Sequence, residues 1–323
     1  MLPAFAREKT AQIPETAAAK KRAQALTPLE KKENIAGYLF LLPWFAGMLI
    51  FTIGPILASL YLSFTNYNLL SPPQWVGWQN YLAMFQDPHW LNAVRATFIY
   101  VFLSVPLKLI FALFIAILLK QGLRGLGIYR AIYYVPSLLG GSVAIALLWQ
   151  QIFGGEGIVN QILNVVGIHV TTSWVSNPNT ALYTLIILAV WQFGSPMLIF
   201  LAGLKQIPQE YYEAASTDGA GAIRKFFSIT VPMLTPLIFF NLILQMVGAF
   251  QAFTPAYIVS GGNGGPLDST LFYTLYIYQQ GFGQLEMGYA SAMAWMLLLV
   301  VGTFSAIAFI TSRYWVFYQD DRK

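Results

Sequence analysis

Six apolar stretches separated by polar or aromatic connections set the outline of the chain: residues 37–64, 97–119, 131–153, 182–204, 231–253 and 289–310. Each is close to the roughly 20 residues that carry a helix across a bilayer, and the first is long enough to tilt or to extend past it. Several hold proline in their interior (Pro43, Pro55, Pro106, Pro136, Pro236). Such prolines are tolerated where neighbouring helices satisfy the backbone groups they free. The pattern therefore predicts an all-α integral membrane protein with six transmembrane helices. Residues 1–34 are polar and mixed in charge. They read as a largely disordered tail, helical close to the first apolar stretch. They do not read as a cleavable signal peptide, because the apolar run that follows is too long and no small-residue cleavage site ends it. The implied division is a tail over 1–34, a membrane domain over 35–318 and a short second tail over 319–323.

Composition strengthens the reading. Of 323 residues 57% are hydrophobic and 10% charged, with a mean hydropathy of +0.59. A soluble protein of this size carries about a quarter charged residues. The net charge of +5 could suggest nucleic acid, but its placement fits membrane topology better, and no nucleic-acid partner is expected. Absent cysteine excludes disulfides and thiolate sites. His89 and His169 are the two histidines, with no carboxylate cluster beside them. Metal, hydrolytic and nucleophilic-triad chemistry all lack parts, so no enzyme is expected.

Lys and Arg concentrate in alternate connections. Seven precede the first stretch (Arg7, Lys9, Lys20, Lys21, Arg22, Lys31, Lys32); Lys120, Arg124 and Arg130 join the second to the third. Lys205, Arg224 and Lys225 join the fourth to the fifth, and Arg313, Arg322 and Lys323 follow the sixth. The other three connections hold almost none, Arg95 excepted. The positive-inside rule then puts both termini and the 208–232 loop in the cytoplasm. The opposite connections are aromatic or glycine-rich. The run from Ser260 to Thr270 has no lysine and follows no strand, which excludes a phosphate loop.

The 208–232 loop carries the most specific pattern in the chain. Pro208 and Glu210 suit the start of a short helix. Tyr212, Ala215 and Ser216 then share a face, and Gly219 sits where a residue of positive φ ends it. A second amphipathic piece follows (Ile223, Phe226 and Phe227 against Arg224 and Lys225), closed by Pro232, which opens the next span. A plain amphipathic helix resting on the membrane would need neither that glycine nor that spacing. Glu213-Ala214-Ala215, three residues, Gly219, nine residues, Ile229, then Val231-Pro232 resembles the EAA loop of ABC importer permeases, which usually have Leu-Pro at the last two positions. The resemblance runs from Ile35 to Phe317 and narrows to the carbohydrate-uptake permeases of the maltose and glycerol-phosphate type. Asn80-Tyr81, Tyr134-Val135-Pro136, Trp149 with Phe153, Gly157 with Asn160, Gly264-Gly265-Pro266 with Ser269-Thr270, and Gly288 through Ala292 carry it. An additional Gly261-Gly262-Asn263 before the Gly-Gly-Pro departs from the family.

That resemblance implies a type I ABC importer permease architecture with cytoplasmic coupling helices, in a bacterial cytoplasmic (inner) membrane. It also implies the partners: a second related permease forming a heterodimer, two cytoplasmic ABC ATPase subunits, an extracytoplasmic solute-binding protein and a saccharide. ATP and Mg would bind the ATPase subunits, and this chain would hold no cofactor. Glu213, Ala214, Ala215, Asp218 and Gly219 would form the ATPase-coupling element. ATP binding would close the ATPase dimer and rock the permease halves between inward-open and outward-open states.

Polar side chains inside the apolar stretches are few, so they are informative. Gln192 and Ser195 stand three apart beside Trp191. Asn241 and Gln245 stand four apart, Gly248 continues that face, and Gln251 lies nearby. Trp191, Gln192, Ser195, Asn241, Gln245 and Gln251 are the candidate substrate pathway, matching the regions that supply sugar contacts in the family. The same amides could instead bond helix to helix. Lys108 is the one basic residue well inside a span: a functional candidate, or a side chain that snorkels or faces a wet cavity. The competing classes are an ion-coupled secondary transporter, which would need a charged relay within the spans, and an ABC permease for a non-sugar solute.

Overall fold

The computed structural model describes residues 28–121 and 125–317. Most of the expected 1–34 tail, Arg124 and the 319–323 tail lie outside the described residues. The chain divides into two compact units, Met1–Ala58 and Ser59–Lys323.

In the first unit, α1 (Pro28–Met48) continues through a π turn (Leu49–Ile53) into α2 (Gly54–Ser63), whose last turn belongs to the second unit. The π turn answers Pro55. A proline ring crowds the carbonyl four residues back and offers no N–H. The turn is wider here because the Gly54 N–H bonds back to Leu49 O, five residues away. Helix therefore begins before residue 35, as expected for the segment next to the first apolar stretch. Phe40, Trp44 and Phe51 on it are exposed.

The second unit opens with a two-residue antiparallel pair, β1 (Thr65–Asn66) and β2 (Gln74–Trp75), then the short α3 (Gln79–Met84). Asn80 Nδ2 donates to Ser63 O and Thr65 O, both at 2.9 Å, and Tyr81 OH donates to Ser63 Oγ at 2.8 Å. The axis of the unit is α4 (Pro88–Lys120), 33 residues long. Asp87 caps it by accepting the His89 N–H at 2.9 Å, and Pro88 fills its first turn. Ala93, Ala112 and Ala116 on α4 are fully buried. Small residues there let other backbones approach closely, and four helices defined below pack on it: α8, α9, α12 and α14.

The third and fourth apolar stretches differ from the expectation of one helix each. The third is broken into α5 (Leu126–Leu139) and α6 (Val143–Ile152), which meet at 99°. Gly140 and Gly141 form the corner, and Ser142 caps α6 by accepting the Ile145 N–H at 3.4 Å. After α7 (Ile158–Val165) the fourth stretch is broken into α8 (Ala181–Trp191) and α9 (Gly194–Gln206), bent by 41°. α10 (Gln209–Thr217) and α11 (Ala222–Lys225) make the following loop. A π turn (Phe226–Thr230) then leads into α12 (Val231–Phe250). Pro232 does not close the second amphipathic piece. The Val231 N–H bonds to Phe226 O, so the same widening that precedes Pro55 keeps the backbone helical here. α13 (Thr254–Val259), a 3₁₀ turn (Pro266–Asp268), α14 (Tyr273–Tyr278), a third π turn (Gln279–Gly283) and α15 (Met287–Trp315) complete the order. Among the described residues four helical stretches are long and apolar enough to cross a membrane, and six segments do so if each bent pair is one span.

Candidate functional site: a central cavity and a coupling element

The ends of the second unit are chemically distinct. At one end, Lys120 closes α4 with its Nζ 4.5 Å from the ring centre of Tyr212 on α10. Tyr212 OH lies 2.9 Å from Thr230 Oγ1, which is buried at the foot of α12. α10 is thus strapped to the feet of two helices through one tyrosine. Ser216 Oγ donates to Tyr212 O at 2.7 Å and accepts from Lys225 Nζ at 2.6 Å, tying α10 to α11. Tyr212 and Ala215 are half-buried, whereas Glu213, Ala214 and Asp218 are exposed. Gly219 has φ +77°, and an added Cβ there would meet nothing within 4 Å. Its requirement is conformational, not steric. Gly219 N–H bonds to Ser216 O and Ala220 N–H to Ala215 O, which ends α10 as the spacing predicts. Ile223 and Phe227 stand exposed beside it, at 77% and 65%.

Midway along the unit the two broken stretches interlock. A break frees backbone groups that need partners away from water. Ser137 supplies both: its Oγ donates to Gln192 O at 2.9 Å and accepts the Ser195 N–H at 3.0 Å. Gln192 answers across the other corner, with Nε2 donating to Gly140 O at 3.1 Å. The approach is tight enough to require glycine. A Cβ on Gly140 would lie 2.3 Å from the Gln192 side chain, and one on Gly194 2.5 Å from Tyr133 O.

Against this corner lies a cavity of about 280 Å³, walled by α4, α12, Gln192 and the loop into α13. Its polar lining is Tyr100, Ser104 and Lys108 from α4, Gln192, and Gln245 from α12, while Gly141 and Gly248 leave it open. The structure thus brings Gln192 and Gln245 together and adds three residues of α4. Of these the sequence had marked Lys108. Tyr100 and Ser104 were missed, although Ser104 lies one turn from Lys108. The other candidates are not on this wall. Asn241 is fully buried one turn from Gln245, where its Nδ2 donates to Leu237 O at 2.9 Å and its Oδ1 is unpaired. Gln251 caps the end of α12 and is exposed. Trp191 faces Trp149, ring centres 6.1 Å apart, and the backbone of Ser195 is held by Ser137. The mid-span Gly140-Gly141-Ser142 was the available signal for the corner: two weak helix formers followed by a capping residue.

At the far end, Asp87 collects partners from three elements. Its Oδ2 accepts from Tyr276 OH at 2.6 Å and Tyr289 OH at 2.8 Å. Burial disfavours its charge, yet the hydrogen bonds from Tyr276, Tyr289 and the Trp90 and His89 N–H groups outweigh that and hold the carboxyl below its ordinary 3.8. Beside it His89 Nδ1 lies 2.6 Å from Asp268 Oδ2, and Asn92 Nδ2 donates to the same oxygen at 3.0 Å. Gly264 and Gly265 turn this loop at positive φ, and Thr270 closes it on Gly264 O at 3.0 Å. Gly288 is required where α15 meets β1, since a Cβ would lie 2.0 Å from Thr65 O.

Broken spans around a polar-lined central cavity, with a short amphipathic helix strapped to one end, define the class: a membrane transport permease. The chain belongs to the family described as binding-protein-dependent transport system inner membrane component, whose model matches residues 80–316. It is 54% identical over 290 residues to the probable ABC transporter permease protein YesP of Bacillus subtilis, covering 90% of this chain and 94% of that one. It is 32% identical to the lactose transport system permease protein LacF of Rhizobium radiobacter (88% and 96%). It is 34% identical to the sulfoquinovosyl glycerol transport system permease protein SmoG of Agrobacterium fabrum (82% and 86%). In fold it is similar to a chain of a bacterial alginate ABC transporter, solved in complex with an alginate pentasaccharide-bound periplasmic protein. The TM-score is 0.75 at 21% identity, over 87% of this chain and 95% of that one. The architecture is that of a type I ABC importer permease.

Proposed function

We propose that this chain is one half of the membrane pathway of an ATP-driven importer for a sugar or oligosaccharide. The observation that carries the reading is the pairing of two features on the same helices. α4 and α12 wall the central cavity, and at their feet they hold α10. A push on α10 from the cytoplasm would therefore move the walls of the cavity. The exposed face of Glu213, Ala214 and Asp218, with Ile223 and Phe227 beside it, is suited to the groove of a cytoplasmic ATPase subunit. Apolar side chains standing free on a polar loop gain by being covered. Gln192 and Gln245 offer neutral donors and acceptors that replace water around hydroxyl groups.

A related second permease would supply the other wall of the pathway, two ATPase subunits the energy, and an extracytoplasmic binding protein the solute. The names of LacF and SmoG, which refer to sugar and sugar-derivative transport, support the substrate class. Lys120, Arg130, Lys205, Arg224 and Lys225 near the α10 end support a cytoplasmic placement of that end and of both termini. The chain itself would carry out no reaction; ATP and Mg would bind the partner subunits.

The test is reconstitution of the whole complex in liposomes, with binding protein outside and ATP inside. Expected is saccharide accumulation that needs both, and that Glu213→Ala abolishes while the permease pair stays intact. Accumulation driven by a proton or sodium gradient without ATP would overturn the reading.

A further inference from the structure

Lys108 stands eleven residues from either end of the 97–119 stretch. At about 1.5 Å rise per residue that is roughly 16 Å from each, the middle of the span. Its side chain lines the central cavity. None of the six apolar stretches contains an Asp or Glu. Among the described residues the one basic side chain within 4 Å of a carboxylate is His89, against Asp268 at the far end of the unit. The other polar groups on the cavity wall are uncharged: a phenol, a hydroxyl and two amides. The cavity therefore presents a single positive charge, with no acidic residue among its lining.

A lone charge at that depth is costly, and such residues face a pathway or pair with a partner. We propose that Lys108 is the specificity-determining residue for an acidic saccharide, one whose sugar unit in the cavity carries a single carboxylate, as a uronic acid does. The proposal rests on the saccharide-import reading above and names the kind of saccharide. One ammonium balances one negative charge, so a monoanion leaves the occupied cavity neutral and a neutral sugar does not. The compact ammonium takes a carboxylate as a point charge without the forked geometry an arginine would impose. Gln192, Gln245 and Ser104 supply the partners a ring's hydroxyls need. A dianionic phosphate ester would leave one charge uncompensated.

The experiment uses the full reconstituted complex and matched pairs of sugars differing in oxidation at C6: glucose with glucuronate, galactose with galacturonate, and their disaccharides. Initial uptake is compared for wild type, Lys108→Gln and Lys108→Arg. The expected result is that wild type prefers the acid member of at least one pair. Lys108→Gln should then lower the acid-to-neutral ratio by about tenfold or more, the loss of one charge-assisted bond, and Lys108→Arg should retain part of it. A ratio is independent of how much complex assembles, so it survives a drop in yield. Wild-type uptake of neutral members with no response to Lys108→Gln would overturn this inference and leave saccharide import standing. Loss of the second permease from purified Lys108→Gln complex would overturn it too, placing the counter-charge on that subunit. Failure of wild type to take up either member of any pair would instead count against saccharide import itself.

Discussion

Asp87 and Lys108 sit on the same helix about six turns apart, and the chain treats the two charges in opposite ways. Asp87 caps the helix, accepts two tyrosine hydroxyls from α14 and α15, and is held ionised by its bonds. Lys108 sits deeper, where a charge costs more, and has no acidic partner among the described residues. A charge whose bonds are all made by its own chain is a fastener. One left open at the wall of a cavity is shaped for something that arrives and leaves. Removing the first must therefore cost stability, and removing the second must not.

The largest effect is expected from Asp87→Ala. It strands two tyrosine hydroxyls and removes the cap of α4, so it should destabilise the complex by about 2–4 kcal/mol, read as a lower unfolding temperature in detergent. The loss should depend on pH with a definite sign. The folded carboxyl lies below its ordinary 3.8. Its contribution is therefore complete above about pH 4–5 and fades as pH falls through the lower folded value. Wild type and Asp87→Ala should converge on acidification from pH 6 to pH 3. Parallel curves would mean that Asp87 holds nothing in its charged form.

Which of these roles could be read from residues alone follows from how local each one is. Gly219 ends α10 through bonds that span only three positions (Gly219 to Ser216) and five (Ala220 to Ala215), so its purpose is written in the neighbouring sequence. The π turns before Pro55 and Pro232 are local too, but they remedy a clash that a proline only implies. The corner at Gly140 is different. Its carbonyl is satisfied by Gln192, 52 residues on, and its lack of a side chain answers the closeness of that residue. Hydropathy sees the stretch 131–153 as one apolar run because a broken helix and a whole one have the same composition. Grouping Lys108, Gln192 and Gln245 likewise needed three elements placed in space. Asn241 shares a helix face with Gln245, and only packing separates the covered turn from the open one.

An intermediate effect is expected from Ser137→Ala. One hydroxyl serves both ends of the break between α8 and α9, so its loss leaves Gln192 O and Ser195 N–H unpaired. The site is half-buried and adjoins the cavity, so water recovers part of the loss. About 1–2 kcal/mol should remain. Because the same residues position Gln192, the transport KM should rise together with the fall in unfolding temperature. A stable variant with unchanged KM would show that the break is held by packing alone.

The smallest change in stability is expected from Lys108→Met, and it tests the comparison most directly. Methionine keeps the length of the stem and removes the charge, so packing along α4 is nearly conserved. If the ammonium has no partner, nothing is stranded by its removal, and replacing a buried charge by an apolar group of like volume is neutral or mildly stabilising. The unfolding temperature of the complex should stay within the equivalent of about 1 kcal/mol of wild type, while uptake of the natural solute falls. A loss of about 2 kcal/mol or more would reveal a hidden anion that Lys108 normally satisfies, and Lys108 would then be a fastener like Asp87. Unchanged stability with unchanged uptake would remove it from the pathway altogether. Stability kept and transport lost is the combination that only an open charge at the site of passage produces.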